Sequence, residues 1–265
     1  MDITATQLET GSAGTCAQDR MDRVDRVDPL DRLIVALDFP SAEPALELAD
    51  RLQGVCRWFK VGMELYCAAG NSVVARLRER GFEVFLDLKL HDIPNTVAGA
   101  VRSVTGVGAS LLTIHACGGE RMMRAAVEAA SAPGAPRLLA VTVLTSMDAA
   151  ELRAVGVGDA AGARGLVEAQ VLRMARLAVA AGIDGLVCSA EEARAVREVA
   201  GPAALLVVPG IRPTGVEAGD QRRVATPAGA IARGASMLVV GRPITRATDP
   251  ADAAAAILAE ITSAD

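Results

Sequence analysis

The sequence predicts a closed (β/α)8 barrel, and three observations carry that prediction. From Leu33 onward, short aliphatic and β-branched runs alternate with longer stretches of helical spacing. The short runs are continuously apolar, as expected of parallel strands buried on both faces. Eight such units fit into about 230 residues, the size of one barrel of this class. An open doubly wound sheet is the architectural alternative, but it usually has fewer strands.

The elements follow in order. Residues 1–30, MDITATQLETGSAGTCAQDRMDRVDRVDPL, are polar, lack sustained periodicity and contain a short DRV duplication. They read as a flexible extension, with Met21 as an alternative start, ahead of a barrel domain over 31–265. The predicted strands are LIVAL (33–37), WFKV (58–61), VFLDL (84–88), LLTI (111–114), LLAVTV (138–143), GLVC (185–188), LLVV (205–208) and MLVV (237–240). Helical spacing covers 71–81, 120–130 and 166–182 between them, and Gly81 and Gly182 stand where helix C-caps belong.

Composition excludes several classes. The net charge is −5 with no basic tract, which argues against nucleic acid as a partner. No apolar run approaches the roughly 20 residues of a membrane span. No charged segment followed by an apolar one marks a secretory signal, so a cytoplasmic location is expected. The five cysteines are scattered without a C-x-x-C pair, and with two histidines they leave little for zinc.

Active sites of such barrels lie at the C-terminal strand ends. The residues there are Asp38, Lys60, Asp87 with Lys89, His115, Thr145 with Ser146, Ser189, Pro209 with Gly210, and Gly241 with Arg242. Asp87 and Lys89 are two apart and project from one strand face, with Leu86, Leu88 and Leu90 on the other. Asp92 follows in the loop. Isolated buried charges cost several kcal/mol, so Asp38, Lys60, Asp87 and Lys89 should neutralise one another. A lysine among carboxylates keeps its proton and can donate it. A buried structural ion network is the alternative reading.

PGIRPTG after strand seven and VGRPIT after strand eight suit a phosphate. Gly210 and Gly241 permit close backbone approach, and Arg212 and Arg242 can fork onto phosphate oxygens. Two ordinary turns with surface arginines are the alternative. GVGDAAG (156–162) has the wrong glycine spacing for a dinucleotide loop. Cys117 lacks an orienting third group and reads as packing. His115 reads equally as a structural hydrogen-bonder or a substrate contact. The ammonium inside D-x-K-x-x-D disfavours a divalent metal.

FLDLKLHDIPNT (85–96), with VALDF, FKVGMELY, VTVLTSM, PGIRP, GDQRR and VVGRPIT, resembles the orotidine 5'-phosphate decarboxylase family from about Leu33 to Ile261. The D-x-K-x-x-D core is shared with a wider group of sugar-phosphate decarboxylases and aldol enzymes, whereas H-D-I-P-N-T and G-D-Q-R-R are more particular. The resemblance implies conversion of orotidine 5'-phosphate to UMP and CO2 in pyrimidine synthesis, without cofactor or metal, by a homodimer with shared sites. By position it implies that Asp38 and Lys60 hold the ribose and support the charge array. Asp87 would face the substrate carboxylate, and Lys89 would protonate C6. Asp92, Ile93 and Thr96 would reach the neighbouring subunit's site, and Thr145 would recognise the pyrimidine. Gln221 would link base and phosphate from a lid over 212–224 that contains Gly215 and Gly219. Pro209, Arg212, Gly241 and Arg242 would serve the phosphate end. A related decarboxylase or aldolase, and a non-catalytic phosphate-binding barrel, are the alternatives.

Overall fold

The eight apolar runs form eight parallel strands, each within two residues of its predicted bounds. In this computed structural model, which describes residues 28–158, 165–213 and 225–264, they are β1 (Leu33–Ala36), β2 (Trp58–Gly62), β3 (Glu83–Leu90), β4 (Leu111–His115), β5 (Arg137–Val141), β6 (Gly185–Val187), β7 (Leu205–Val208) and β8 (Met237–Val240). Each strand pairs with the next, and β8 closes on β1 with Ile34 opposite Val239. The predicted barrel is therefore the observed architecture, and residues 1–27 of the predicted extension lie outside the described residues.

The helices are α1 (Ala42–Arg51), α2 (Met63–Ala69), α3 (Asn71–Glu79), α4 (Pro94–Thr105), α5 (Gly119–Ala129), α6 (Ala149–Ala154), α7 (Leu166–Ala181), α8 (Ala193–Ala200), α9 (Pro227–Ala232), α10 (Arg242–Thr245) and α11 (Pro250–Thr262). The predicted segments 71–81, 120–130 and 166–182 correspond to α3, α5 and α7. Gly182 caps α7 in the left-handed conformation at φ 83°, which glycine adopts without a Cβ penalty. Starts are marked as clearly. Asp148 and Glu151 form a capping box on α6, and Asp249 accepts from the Ala251 and Asp252 amides at the start of α11.

Strand alternation divides the apolar residues between two cores. One set, including Leu33, Val35, Phe59, Val61, Val84, Leu86, Leu112 and Ile114, packs outward against the helices. The other fills the barrel: Ile34, Ala36, Phe85, Leu111, Leu139, Val207, Met237 and Val239, with Trp58, Val187 and Leu205 at its edge. Residues two apart on a strand share a face, so the inner set continues into whatever lies at the strand ends. Gly185 keeps β6 close to β7, because a side chain there would run into the Leu205 carbonyl.

Arginines tie the N-terminal end of the barrel. Arg197, on α8, donates to the carbonyls of Gly201 at 2.9 Å, Ala204 at 2.6 Å and Gly234 at 2.9 Å, and to Ser236 Oγ at 2.8 Å. These acceptors precede β7 and β8, so one guanidinium joins both strand entries. Nearby, Arg57 pairs with Asp28 at 2.8 Å and Asp31 at 2.7 Å, fixing the turn Pro29–Asp31. Arg197→Met should keep the packing of the stem but leave several carbonyls unpaired. A loss of about 1–3 kcal/mol is expected, read as a lower urea midpoint with an unchanged slope. A midpoint equal to wild type would contradict the clamp.

Candidate active site

Two residues beyond the inner apolar layer, the same alternation delivers polar groups. Ala36 leads to Asp38, Trp58 to Lys60, Phe85 to Asp87, Leu111 to Thr113, Val207 to Pro209 and Val239 to Gly241. All of these but the buried Thr113 meet at a cavity of about 300 Å³ at the C-terminal strand ends, a size suited to a small ligand. Asp38, Lys60, Asp87, Lys89, Thr145, Pro209, Arg212, Gly241 and Arg242 all line it. Phe85, Val141, Val187, Cys188 and Val239 contribute apolar surface to the same cavity.

Four charges alternate across it. Lys60 Nζ lies 2.9 Å from Asp38 Oδ1 and 3.7 Å from Asp87 Oδ2. Lys89 Nζ donates to both Asp87 oxygens at 2.8 Å. The Asp87 side chain is 13% exposed and that of Lys60 is 11% exposed, whereas Asp38 stands at the open mouth. Burial pushes the Asp87 carboxyl up, but Lys60, Lys89 and the Thr113 hydrogen bond more than offset that and hold it below the usual carboxylate range. Among the described residues no three His, Cys, Asp or Glu side chains are grouped to hold a metal.

Strand periodicity alone does not produce the Asp87–Lys89 contact. Lys89 has φ 50°, the only non-glycine residue with positive φ among those described. The β3–β4 register shifts between Leu86 and Leu90 at the same place. The strand bulges there, which re-aims the lysine. Thr113 holds the bulge from β4. Its hydroxyl oxygen accepts the Lys89 amide at 2.8 Å and the hydroxyl donates to Asp87 Oδ1 at 2.9 Å. Leu88 and Leu90 still pack against the outer core, as the alternation predicts. Sequence reasoning missed Thr113; its one signal is its place two positions beyond the inward Leu111.

Not every strand-end residue reaches the cavity. Ser189 instead donates to buried Glu192. His115 stacks on His91, ring centroids 5.4 Å apart, and its Nδ1 accepts the Cys117 amide at 3.3 Å. Burial, followed by His91 and Lys89, pushes His115 down, which favours its neutral form. Cys117 is exposed rather than packed in the core as expected, although partial desolvation pushes its thiol up. Asp92, Ile93 and Thr96 are exposed and do not line their own chain's cavity, with Ile93 66% exposed. Asp92 Oδ1 accepts the Ile93 amide at 2.6 Å. Gln221, Gly215 and Gly219 lie outside the described residues. The chain on either side of them is joined by an Ile211–Ala225 bridge, with the Arg212 amide on the Ala225 carbonyl at 2.9 Å.

Known proteins match this chain over nearly their whole length. A profile of the family described as "Orotidine 5'-phosphate decarboxylase / HUMPS family" matches residues 31–257. Orotidine 5'-phosphate decarboxylase of Halorhodospira halophila is 56% identical over 235 residues, covering 88% of this chain and 97% of the relative. The Dichelobacter nodosus enzyme of the same name is 53% identical over 230 residues, covering 86% and 98%. The crystal structure of orotidine 5'-phosphate decarboxylase from Lactobacillus acidophilus superposes with a TM-score of 0.74 at 39% identity, covering 87% of this chain and 99% of that one. With the match spanning the barrel and every strand that builds the cavity, this chain belongs to the orotidine 5'-phosphate decarboxylase family.

Proposed function

We propose that this protein converts orotidine 5'-phosphate to UMP and CO2, with Lys89 as the proton donor. The observation that carries the assignment is the pair of ammonium groups flanking Asp87 at a partly apolar strand-end cavity. Breaking the bond from C6 to the carboxylate leaves its electron pair in an sp² orbital on C6, outside the ring π system. A fixed cation near that carbon lowers the barrier, because its orientation was settled on folding rather than during reaction. Lys89 Nζ then gives C6 a proton and regains one from solvent. Asp87 faces the departing carboxylate, and their repulsion ends as neutral CO2 leaves.

The remaining groups take the rest of the nucleotide. Arg212, Arg242 and the Gly241 backbone suit the phosphate, Asp38 and Lys60 the ribose hydroxyls, and Thr145 the base. Asp92, Ile93 and Thr96 point away from their own cavity, and we assign them to the site of a partner subunit in a homodimer. Exposed Met63 and Ile93 supply apolar surface for that contact. Among the described residues, Cys56, Cys67, Cys117 and Cys188 are not joined in disulfides, which fits a reducing cytoplasm.

Three outcomes are expected. Lys89→Ala should lower turnover by at least about 100- to 10,000-fold, followed by the ultraviolet change from orotidine 5'-phosphate to UMP. Its circular dichroism spectrum should be unchanged, and near-wild-type turnover in a folded variant would remove Lys89 from the reaction.

The Asp87 carboxyl titrates lower in the folded chain than in the unfolded one, so the unfolded state binds the extra proton between the two values. Its contribution to stability is therefore complete above the unfolded value of about 3.9 and fades as pH falls through the folded value. Urea unfolding of wild type and Asp87→Asn should show a constant gap above about pH 5 that narrows on further acidification. A gap that widens in acid would reverse the sign of the coupling.

Lys60→Ala and Asp92→Ala should each be nearly inactive alone. Co-expressed, about half the dimers are mixed, and each mixed dimer has one intact composite site, so activity should return to about one quarter of wild type. Mixed dimers recovered by a tag but lacking activity would place Asp92 in its own subunit's site or in none.

A further inference from the structure

We propose that Gly62 is a positioning residue for this reaction, its missing side chain being the seat of the Lys60 ammonium. Gly62 ends β2, two residues after Lys60 and on the same inward face, and is paired in register with Asp87. A Cβ built at Gly62 would lie 2.7 Å from Lys60 Nζ and 3.2 Å from Asp38 Oδ1. Both distances are shorter than an ordinary contact with carbon, so this buried glycine leaves room for an ion pair and for nothing more.

The backbone gives no competing reason for glycine. Gly62 has φ −90° and ψ −178°, an extended conformation open to any residue. It is also the N-cap of α2, where Ser, Asn or Asp would accept a helix amide, and it makes no such bond. The position thus forgoes both a cap and a side chain. What it retains is the Lys60 bridge, 2.9 Å from Asp38 and 3.7 Å from Asp87. An added methyl would displace the ammonium by on the order of 1 Å, lengthening its contact with one carboxylate or both. Asp87 would then keep Lys89 and lose part of its second cation. The inference rests on the decarboxylase reading for its consequence in turnover, but its geometry does not.

The test is a double-mutant cycle. Gly62→Ala should retain the wild-type melting temperature within a few degrees and lose about 10- to 100-fold in kcat, with a smaller change in KM. In the Lys60→Ala background, assayed at high enzyme concentration, the same substitution should change kcat by less than about twofold, because the group it displaces is gone. Equal losses in the two backgrounds, or an unchanged kcat in Gly62→Ala, would overturn the proposal. If Gly62→Ala fails to fold, the proposal requires Lys60→Ala/Gly62→Ala to fold; failure of both would make the glycine a demand of the scaffold. A crystal structure of Gly62→Ala should show Nζ moved off Asp38, and an unmoved ammonium would count against the role. Wild-type protein that does not turn over orotidine 5'-phosphate would sink the decarboxylase reading, while that displacement would still decide the seat of Lys60.

Discussion

Asp87 stands between two ammonium groups, and the geometry of the strand ends follows from that placement. A carboxylate this far inside a barrel is costly unless cations and donors surround it. Lys89 covers both of its oxygens, Thr113 donates to one of them, and Lys60 approaches the other while bridging to Asp38. Asp87 and Lys89 share β3, while Lys60 comes from β2, Thr113 from β4 and Asp38 from just beyond β1, so the array exists only when β1 to β4 are in register. The apolar surface among these groups strengthens their interactions relative to water. The charges are oriented before any ligand arrives, which is the condition under which fixed charge lowers a barrier most.

The barrel was legible in the sequence because each strand is built around a short apolar run and the spacing between runs is helical. The cavity was legible for a related reason. Once Phe85 and Trp58 are assigned inward, Asp87 and Lys60 follow at period two, and the structure places both against the same cavity. The legible part ends where backbone geometry departs from the ideal strand. Nothing in VFLDLKL announces that Lys89 adopts positive φ or that β3 slips against β4 there. Thr113 was passed over because a threonine inside a strand is unexceptional until its neighbours across the sheet are known. The Arg197 clamp depends on backbone carbonyls from two separate strand entries, and carbonyls leave no trace in side-chain pattern. Asp92 is the reverse case: its proposed role rests on resemblance, and in one chain it accepts a hydrogen bond from the next residue and is exposed.

The two ends of the barrel meet opposite demands. At the N-terminal end, Arg57 and Arg197 satisfy carboxylates and carbonyls, and each guanidinium has partners in the folded chain. At the C-terminal end, charges are gathered around an open cavity and Asp38 is left at its mouth. The strands connect these regions without mixing them. Substitutions at the lower end are therefore expected to act on folding alone, and those at the upper end on chemistry first.

The bulge at Lys89 limits which residues the position can hold. A side chain at φ 50° costs on the order of 1 kcal/mol relative to glycine, which enters that region freely. Considered as backbone, position 89 would prefer the one residue that cannot carry an ammonium. Glycine there would relieve the strain but strip both oxygens of the buried Asp87 carboxylate of their ammonium, a loss of several kcal/mol that outweighs the gain. The strained backbone is thus held in place by the charge pair it makes, and no neutral residue at position 89 improves on lysine while Asp87 stays buried.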